Sequence, residues 1–314
     1  MRGMSSASRS RFISQMRGPE VKESSSSPDY SGGINALDGK VNTNLSFTRS
    51  GKSPSALYTT YTSYDIFYNK YEDNSLSSGV AGQIQFERSL NDSIMFGYFI
   101  GGSVGLMNEA GTLSSSMEAV GIKLGSYFVR ELEGNLILDG YASVVTSQNS
   151  LHFKTDIMNA KSNYSTQAGA LGLNLTGSIP YGLLEIRPTG SLSLTRSIGQ
   201  TVNFDVAVGS STSTETAIHG SINQTKFSFA PEVRMPFSMT PVATGRSTVA
   251  TLTPKFTCHQ LVKTTTTRNC GQGIALGLDI ISKDGLTNIT VGTSYDQIGG
   301  QSSTSVKLKV MKQW

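Results

Sequence analysis

From about residue 40 onward the chain repeats one unit, a short stretch of alternating apolar and polar positions bounded by turn residues. In "SGVAGQIQFERS", Val80, Ile84 and Phe86 share one parity, and Gln83, Gln85 and Glu87 take the other. In "GLLEIRPTGSLSLTRS", Leu184, Ile186, Pro188, Leu192 and Leu194 oppose Glu185 and Arg187. "TKFSFAPEVRM" sets Phe227, Phe229 and Val233 against Lys226, Glu232 and Arg234, and "GIALGLDII" sets Ile274, Leu276, Leu278 and Ile280 against Ala275, Gly277 and Asp279. A period of two with one apolar face and one charged or small face predicts β-strands. They fall near 41–50, 79–89, 93–106, 113–129, 134–147, 164–178, 182–196, 223–234, 247–259, 271–282, 286–297 and 302–314. That is about twelve, an even number of the kind closed outer-membrane barrels use.

The connections sharpen the expectation. Brief turns are predicted around Asn91, Glu131, Tyr181 and Lys283, and longer polar loops at Gly51 to Ser78, Gln148 to Asn163 and Ser197 to Ile222. Short turns at one end and long loops at the other describe a transmembrane antiparallel up-and-down β-barrel. The same barrel explains the composition. Only 37% of residues are hydrophobic and 15% charged, both low for a domain with a large dry core, while Ser, Thr, Gly and Asn fill the gap. A barrel needs apolar residues on its lipid face alone, and every backbone polar group is bonded within the closed sheet. The polar alternates then line the interior, which assigns Glu87, Lys123, Asp139, Glu185, Arg187, Glu232 and Lys255 to the pore. Tyr98, Phe128, Tyr295 and Trp314, near strand ends, are candidates for the interfacial aromatic girdle. The net charge of +4 is spread without a basic stripe, which argues against a nucleic-acid partner. No run of 18 apolar residues is present to form a membrane-spanning helix.

The last strand must pair with the first and expose an apolar stripe to lipid. "VKLKVMKQW" does so with Val306, Leu308, Val310 and Trp314, leaving Lys307 and Lys309 to the interior. This ending resembles the C-terminal signature of bacterial outer-membrane proteins, which implies the barrel-assembly machinery as a partner; Lys312 departs from it. The longer pattern resembles the autotransporter β-domain of type V secretion. "SGVAGQIQFERSLNDSIMFGYFIGGSVG", "GIKLGSYFVRELEGNLILDGYASVV" and "GQGIALGLDIISKDGLTNITVGTSYDQIGGQSSTSVKLKV" look like its strand pairs, with glycines at Gly79, Gly82, Gly97 and Gly101.

That resemblance implies a translocator in the bacterial outer membrane, a helix in or near the pore, and an exported passenger preceding it. "MSSASRSRFISQMRGPE" suits the helix, with Ser5 as N-cap, the Gly18–Pro19 stop, and Arg9, Ser10, Ser14 and Gln15 facing a polar lumen. The expected organisation is a pore helix over 1–18, a flexible linker over 19–38 and a barrel over 39–314. No asparagine occurs between Met1 and Gly33, so passenger cleavage inside the pore at an asparagine is not expected. The alternatives are a porin-like or structural barrel without a passenger, and a rim-site hydrolase.

The chemistry-bearing motifs are sparse. "GGSVG" matches the nucleophile elbow at Ser103, but a strand, a sharp turn and a helix are required and no helix follows. His152, His219 and His259 read as solvated histidines of loops and strand ends, and "GQGIALG" sits within an alternating strand rather than at a helix start. Cys258 and Cys270 flank a short external loop, where an oxidising compartment favours a disulfide; zinc with His259 as third ligand lacks a fourth. No enzyme activity, metal or cofactor is expected.

Overall fold

A computed structural model describes residues 28–37, 40–52, 58–70, 75–91, 93–109, 114–133, 135–237, 247–281 and 287–312. Every regular element in them is a β-strand: β1 Pro28–Leu37, β2 Lys40–Lys52, β3 Thr59–Lys70, β4 Leu76–Asn91, β5 Ile94–Glu109, β6 Ser114–Leu132, β7 Leu136–Lys154, β8 Met158–Thr176, β9 Ile179–Tyr181, β10 Leu184–Arg187, β11 Thr189–Ser197, β12 Gln200–Val208, β13 Ser211–His219, β14 Ile222–Phe229, β15 Glu232–Phe237, β16 Ser247–Val262, β17 Thr266–Ile281, β18 Thr287–Ile298 and β19 Gln301–Lys312. The helix expected over 1–18, with Arg9, Ser10, Ser14 and Gln15, lies outside the described residues, as does Trp314.

Consecutive strands from β1 to β8 pair antiparallel, each with the next. β8 then divides its partners, with β11 along 168–176 and β12 along 158–161. β11 pairs with β14, β10 with β15, and both β14 and β15 with β16. From β16 the ladder runs through β17, β18 and β19, and β19 pairs with β1 from Asp29↔Met311 to Leu37↔Ser303. The last strand is therefore bonded to the first.

Three wall strands are each broken in two, β8 with β9, β10 with β11 and β14 with β15. Two of the breaks fall at Pro188 and Pro231, which have no N–H to give the ladder. Reciprocal bonds from Thr189 N to Ala230 O (3.2 Å) and Ala230 N to Thr189 O (2.8 Å) carry the pairing across. β12 and β13 form a hairpin standing off the wall, with β13 paired to β12. Fourteen wall strands thus follow one another around the ladder among the described residues, not twelve.

The two added strands lie where linker and loop were expected. β1 occupies the end of the 19–38 linker; its alternating Tyr30 and Ile34 are diluted by Gly32 and Gly33. β3 lies inside the predicted loop from Gly51 to Ser78. Its two faces are both aromatic, Tyr64 and Tyr68 on one and Tyr61 and Phe67 on the other, so no hydropathy alternation marks it. Of the expected connections, the brief turns near Asn91, Glu131 and Tyr181 are present, between β4 and β5, β6 and β7, and β9 and β10, whereas the long loops are not loops. The polar stretches at Gln148 to Asn163 and Ser197 to Ile222 are mostly strand, in β7, β8, β12 and β13, and β7 turns into β8 over residues 155–157. β18 and β19 are joined by Gly299 and Gly300, both at positive φ (60° and 84°), as a tight two-residue hairpin turn demands. The start of β1 and the end of β19 lie at one end of the wall, and the extended hairpins stand at the other.

Candidate functional site

The alternation sorts side chains onto two faces. Across neighbouring strands the outer face carries Ile66, Val80, Val104 and Val120 in register, and Ile84, Ile100, Leu124 and Val144 likewise, each between 42% and 60% exposed. On the other flank Leu276, Val291, Val306 and Leu308 are equally open. An apolar band exposed on one face along both flanks of the wall is what a hydrocarbon environment requires. Aromatic rings edge it toward the chain termini, where Phe86 stacks on Tyr98 at 4.9 Å and Tyr58 meets Tyr98 edge-on at 6.1 Å. Phe128 shares that side and Tyr295 lies toward the opposite edge.

The opposite, inner face gathers all seven charged residues assigned to the pore. On its first half, β4 to β8 bury a mixed cluster. Met95, Phe99, Tyr127, Val129 and Ile137 pack together with Tyr141 against them. The Tyr127 hydroxyl donates to Glu87 Oε1 at 2.5 Å and sits 3.3 Å from Gln85 Oε1. It reaches them because Gly97 lies between; a Cβ there would collide with the Tyr127 ring. Gly172 makes the same room for Tyr141. Asp139 is fully buried and accepts from Asn174 Nδ2 at 2.7 Å, while the Lys123 ammonium lies 4.9 Å from the centre of the Phe99 ring.

The second half carries a charge lattice. Arg187 donates two 2.8 Å bonds to Glu185, and Arg234 bonds Glu232 at 2.9 Å and Asp279 at 3.0 Å while approaching Glu185 at 3.9 Å. Lys255 and Asp296 make a further pair at 3.4 Å. Three carboxylates against two guanidinium groups, each partly shielded from water, form a cross-strand network stiffer than isolated surface pairs. Sequence parity placed Glu185, Arg187 and Glu232 on this face, yet gave no sign that Arg234 is the hub or that Tyr127 is the centre of the opposite cluster. Both depend on which residues face each other across strands, and that register is fixed by pairing rather than by local alternation.

Of the C-terminal residues, Val306 and Leu308 point outward, and Val310 pairs through its backbone with Tyr30 and Ile289. Cys258 and Cys270 face each other across β16 and β17 in a disulfide, a few residues below the hairpin tip rather than in a loop. Ser103 lies mid-strand in β5 between Ala81 and Gly121, with no turn at it. His152, His219 and His259 lie on three other strands, His152 with Nε2 at 2.6 Å from Asn159 Oδ1.

A ladder returning on itself, apolar outside and polar within, is the fold of the outer-membrane β-barrels. The solved structures agree. The β domain of the Bordetella autotransporter BrkA superposes with a TM-score of 0.57 at 12% identity, covering 93% of this chain and 100% of that one. A mutant of the TodX monoaromatic hydrocarbon channel superposes at 0.58 with 9% identity, over 93% and 91% of the two chains, and the CymD monoaromatic hydrocarbon channel at 0.53 with 7% identity, over 93% and 90%. The chain thus shares the fold of an autotransporter translocator barrel and of outer-membrane channels. No family model and no curated protein matches its sequence.

Proposed function

We propose that this protein is a closed outer-membrane barrel that holds the polypeptide preceding its first strand inside the lumen, as an autotransporter translocator does, and supports display of an N-terminal passenger on the cell surface. The observation that carries this reading is the burial of polar groups on the inner wall. Eight-stranded barrels are filled by their own side chains and barrels of sixteen or more leave an aqueous channel, so a ring of fourteen leaves room along its axis. Yet Glu87, Asp139, Ser143 and Tyr127 are between 0% and 6% exposed. Neighbours in the wall cover these groups in part, Tyr127 over Glu87 and Asn174 against Asp139, and a segment packed along the axis would complete the cover. Residues 1–18, joined to the first strand through 19–27, would supply it, and that strand starts at the end of the wall where such a segment would enter. The termini then face the periplasm and the extended hairpins the outside.

The test is an epitope placed ahead of Met1, behind a secretion signal, in cells with an intact outer membrane. Antibody labelling of whole cells supports translocation; labelling only after the membrane is permeabilised, with the barrel folded, contradicts it.

A second reading has its own support. The inner faces of β3, β6 and β7 bear Phe67, Met117, Leu151 and Phe153, half-buried apolar side chains along one side of the lumen. Such a surface suits passage of small apolar molecules, the cargo named for TodX and CymD. Uptake of toluene by vesicles carrying the barrel, abolished by Phe67→Lys, would favour it over display.

A further inference from the structure

We propose that the outer wall holds one phosphorylated acyl lipid of the outer leaflet in a groove crossing β6, β7, β8, β11 and β14; this rests on the membrane-barrel reading. The groove, about 670 Å³, runs between two rows of outward residues. The upper row is Leu124, Val144, Gly169, Arg196 and Asn223, each opposite the next in the ladder, and the lower is Ser126, Ala142, Leu171, Leu194 and Thr225. Its floor is main chain, open because Ser126, Ala142 and Gly169 are small. Leu124, Val144, Leu171 and Leu194, 44–60% exposed, supply apolar walls.

The two ends differ. Leu124 lies mid-strand in β6, whereas Arg196 lies one residue from the end of β11 and Asn223 one residue into β14, so the groove climbs from the middle of the apolar band to its hairpin-side edge. Spanning four gaps between strands of ~4.8 Å each, it is about 19 Å long, the reach of a long acyl chain. At the upper end Arg196 is exposed, has no ion-pair partner among the described residues, and is the single charge in the lining, with Asn223 and Thr225 beside it. A guanidinium with an amide and a hydroxyl at the membrane edge, above an apolar slot and with no carboxylate near, suits a phosphate ester carrying an acyl chain. General lipid contact needs neither the slot nor the cation. With the hairpin end outside the cell, the lipid is one of the outer leaflet.

The experiment is native mass spectrometry of the full chain released from mild detergent, with a diphosphorylated acyl-glucosamine disaccharide as probe and its phosphate-free form as comparison. The expected result is a one-to-one adduct with the phosphorylated probe, at least fivefold weaker without phosphate. Arg196→Gln should lose that selectivity, Gly169→Leu or Ala142→Leu should lose the adduct by filling the slot, and Arg130→Gln, an exposed cation on β6 outside the groove, should leave both unchanged. Equal retention of the two probes, or adducts indifferent to the slot variants, overturns the proposal. Heat-modifiable migration, measured on the same samples, separates the two readings: its absence in the wild type overturns the barrel and this site with it, while its presence without selective binding overturns this site alone.

Discussion

The Tyr127 side chain shows how one small residue shapes the interior. Gly97 stands between Tyr127 and Glu87 in the ladder, and only the absence of a side chain there lets the phenol cross the strand to the carboxylate. Gly97→Val therefore forces the ring away, and overpacking of this kind costs about 1–3 kcal/mol. Tyr127→Phe keeps the packing and loses the hydroxyl, costing about 1–2 kcal/mol. Both should appear as lower urea midpoints for the refolded protein, with Gly97→Val the more severe; equal midpoints for wild type and Gly97→Val would mean the ring does not lie over that backbone. Arg234 offers the complementary case. Arg234→Met leaves Glu185, Glu232 and Asp279 without their shared cation, whereas Arg187→Met removes a partner of Glu185 alone. The first should lower the urea midpoint more than the second, and more at low salt than at high. Alternation was enough to put the charged residues on one face. It could not show that Arg234 serves three acids, because those acids come from three strands as much as 94 positions apart in sequence, Glu185 to Asp279.

At the scale of elements, the strands legible in the sequence were those with one apolar and one polar face. β4, β10 with β11, β17 and β19 belong to this group. β1 and β3 escaped because a strand declares itself by alternation only when its two faces differ in polarity, and β3 has tyrosines on both. β13 escaped for the opposite reason: every residue on it is exposed and none is large and apolar but Ile218, so it reads as a polar loop, and β12, although its Val202, Phe204 and Val206 alternate with Asn203 and Asp205, falls within the same predicted loop. β1 is nonetheless the strand on which the ring depends. Removing residues 28–37 should abolish the compact, heat-modifiable form, since β2 and β19 are then left as two long open edges. Removing 211–219, paired to β12 alone, should leave that form intact. The disulfide is a lesser support. Cys258 and Cys270 are 12 positions apart and already neighbours in the ladder, so Cys258→Ser with Cys270→Ser should cost no more than about 3 kcal/mol and leave the barrel able to fold, as read by urea titration.

For the whole molecule, the fold, the composition and the burial pattern have one cause. A chain with few hydrophobic residues satisfies its backbone by wrapping its sheet until the ends meet, spends its apolar side chains on the outside, and keeps its charges in ion pairs and tyrosine contacts within. Pairing of the first and last strands is the feature on which the lumen, the proposed translocation and the proposed lipid site all depend, and it is tested most directly by a cross-link. Ile34 and Val306 face each other across β1 and β19. In a Cys258→Ser, Cys270→Ser background, Ile34→Cys with Val306→Cys should form a disulfide under mild oxidation in the folded protein, and the cross-linked species should run as the compact form before boiling. Ile34→Cys with Val291→Cys, on β18, should not cross-link. A barrel that migrates compactly yet never cross-links at 34 and 306, or a chain with no heat-modifiable form at all, would contradict a ring closed by these two strands.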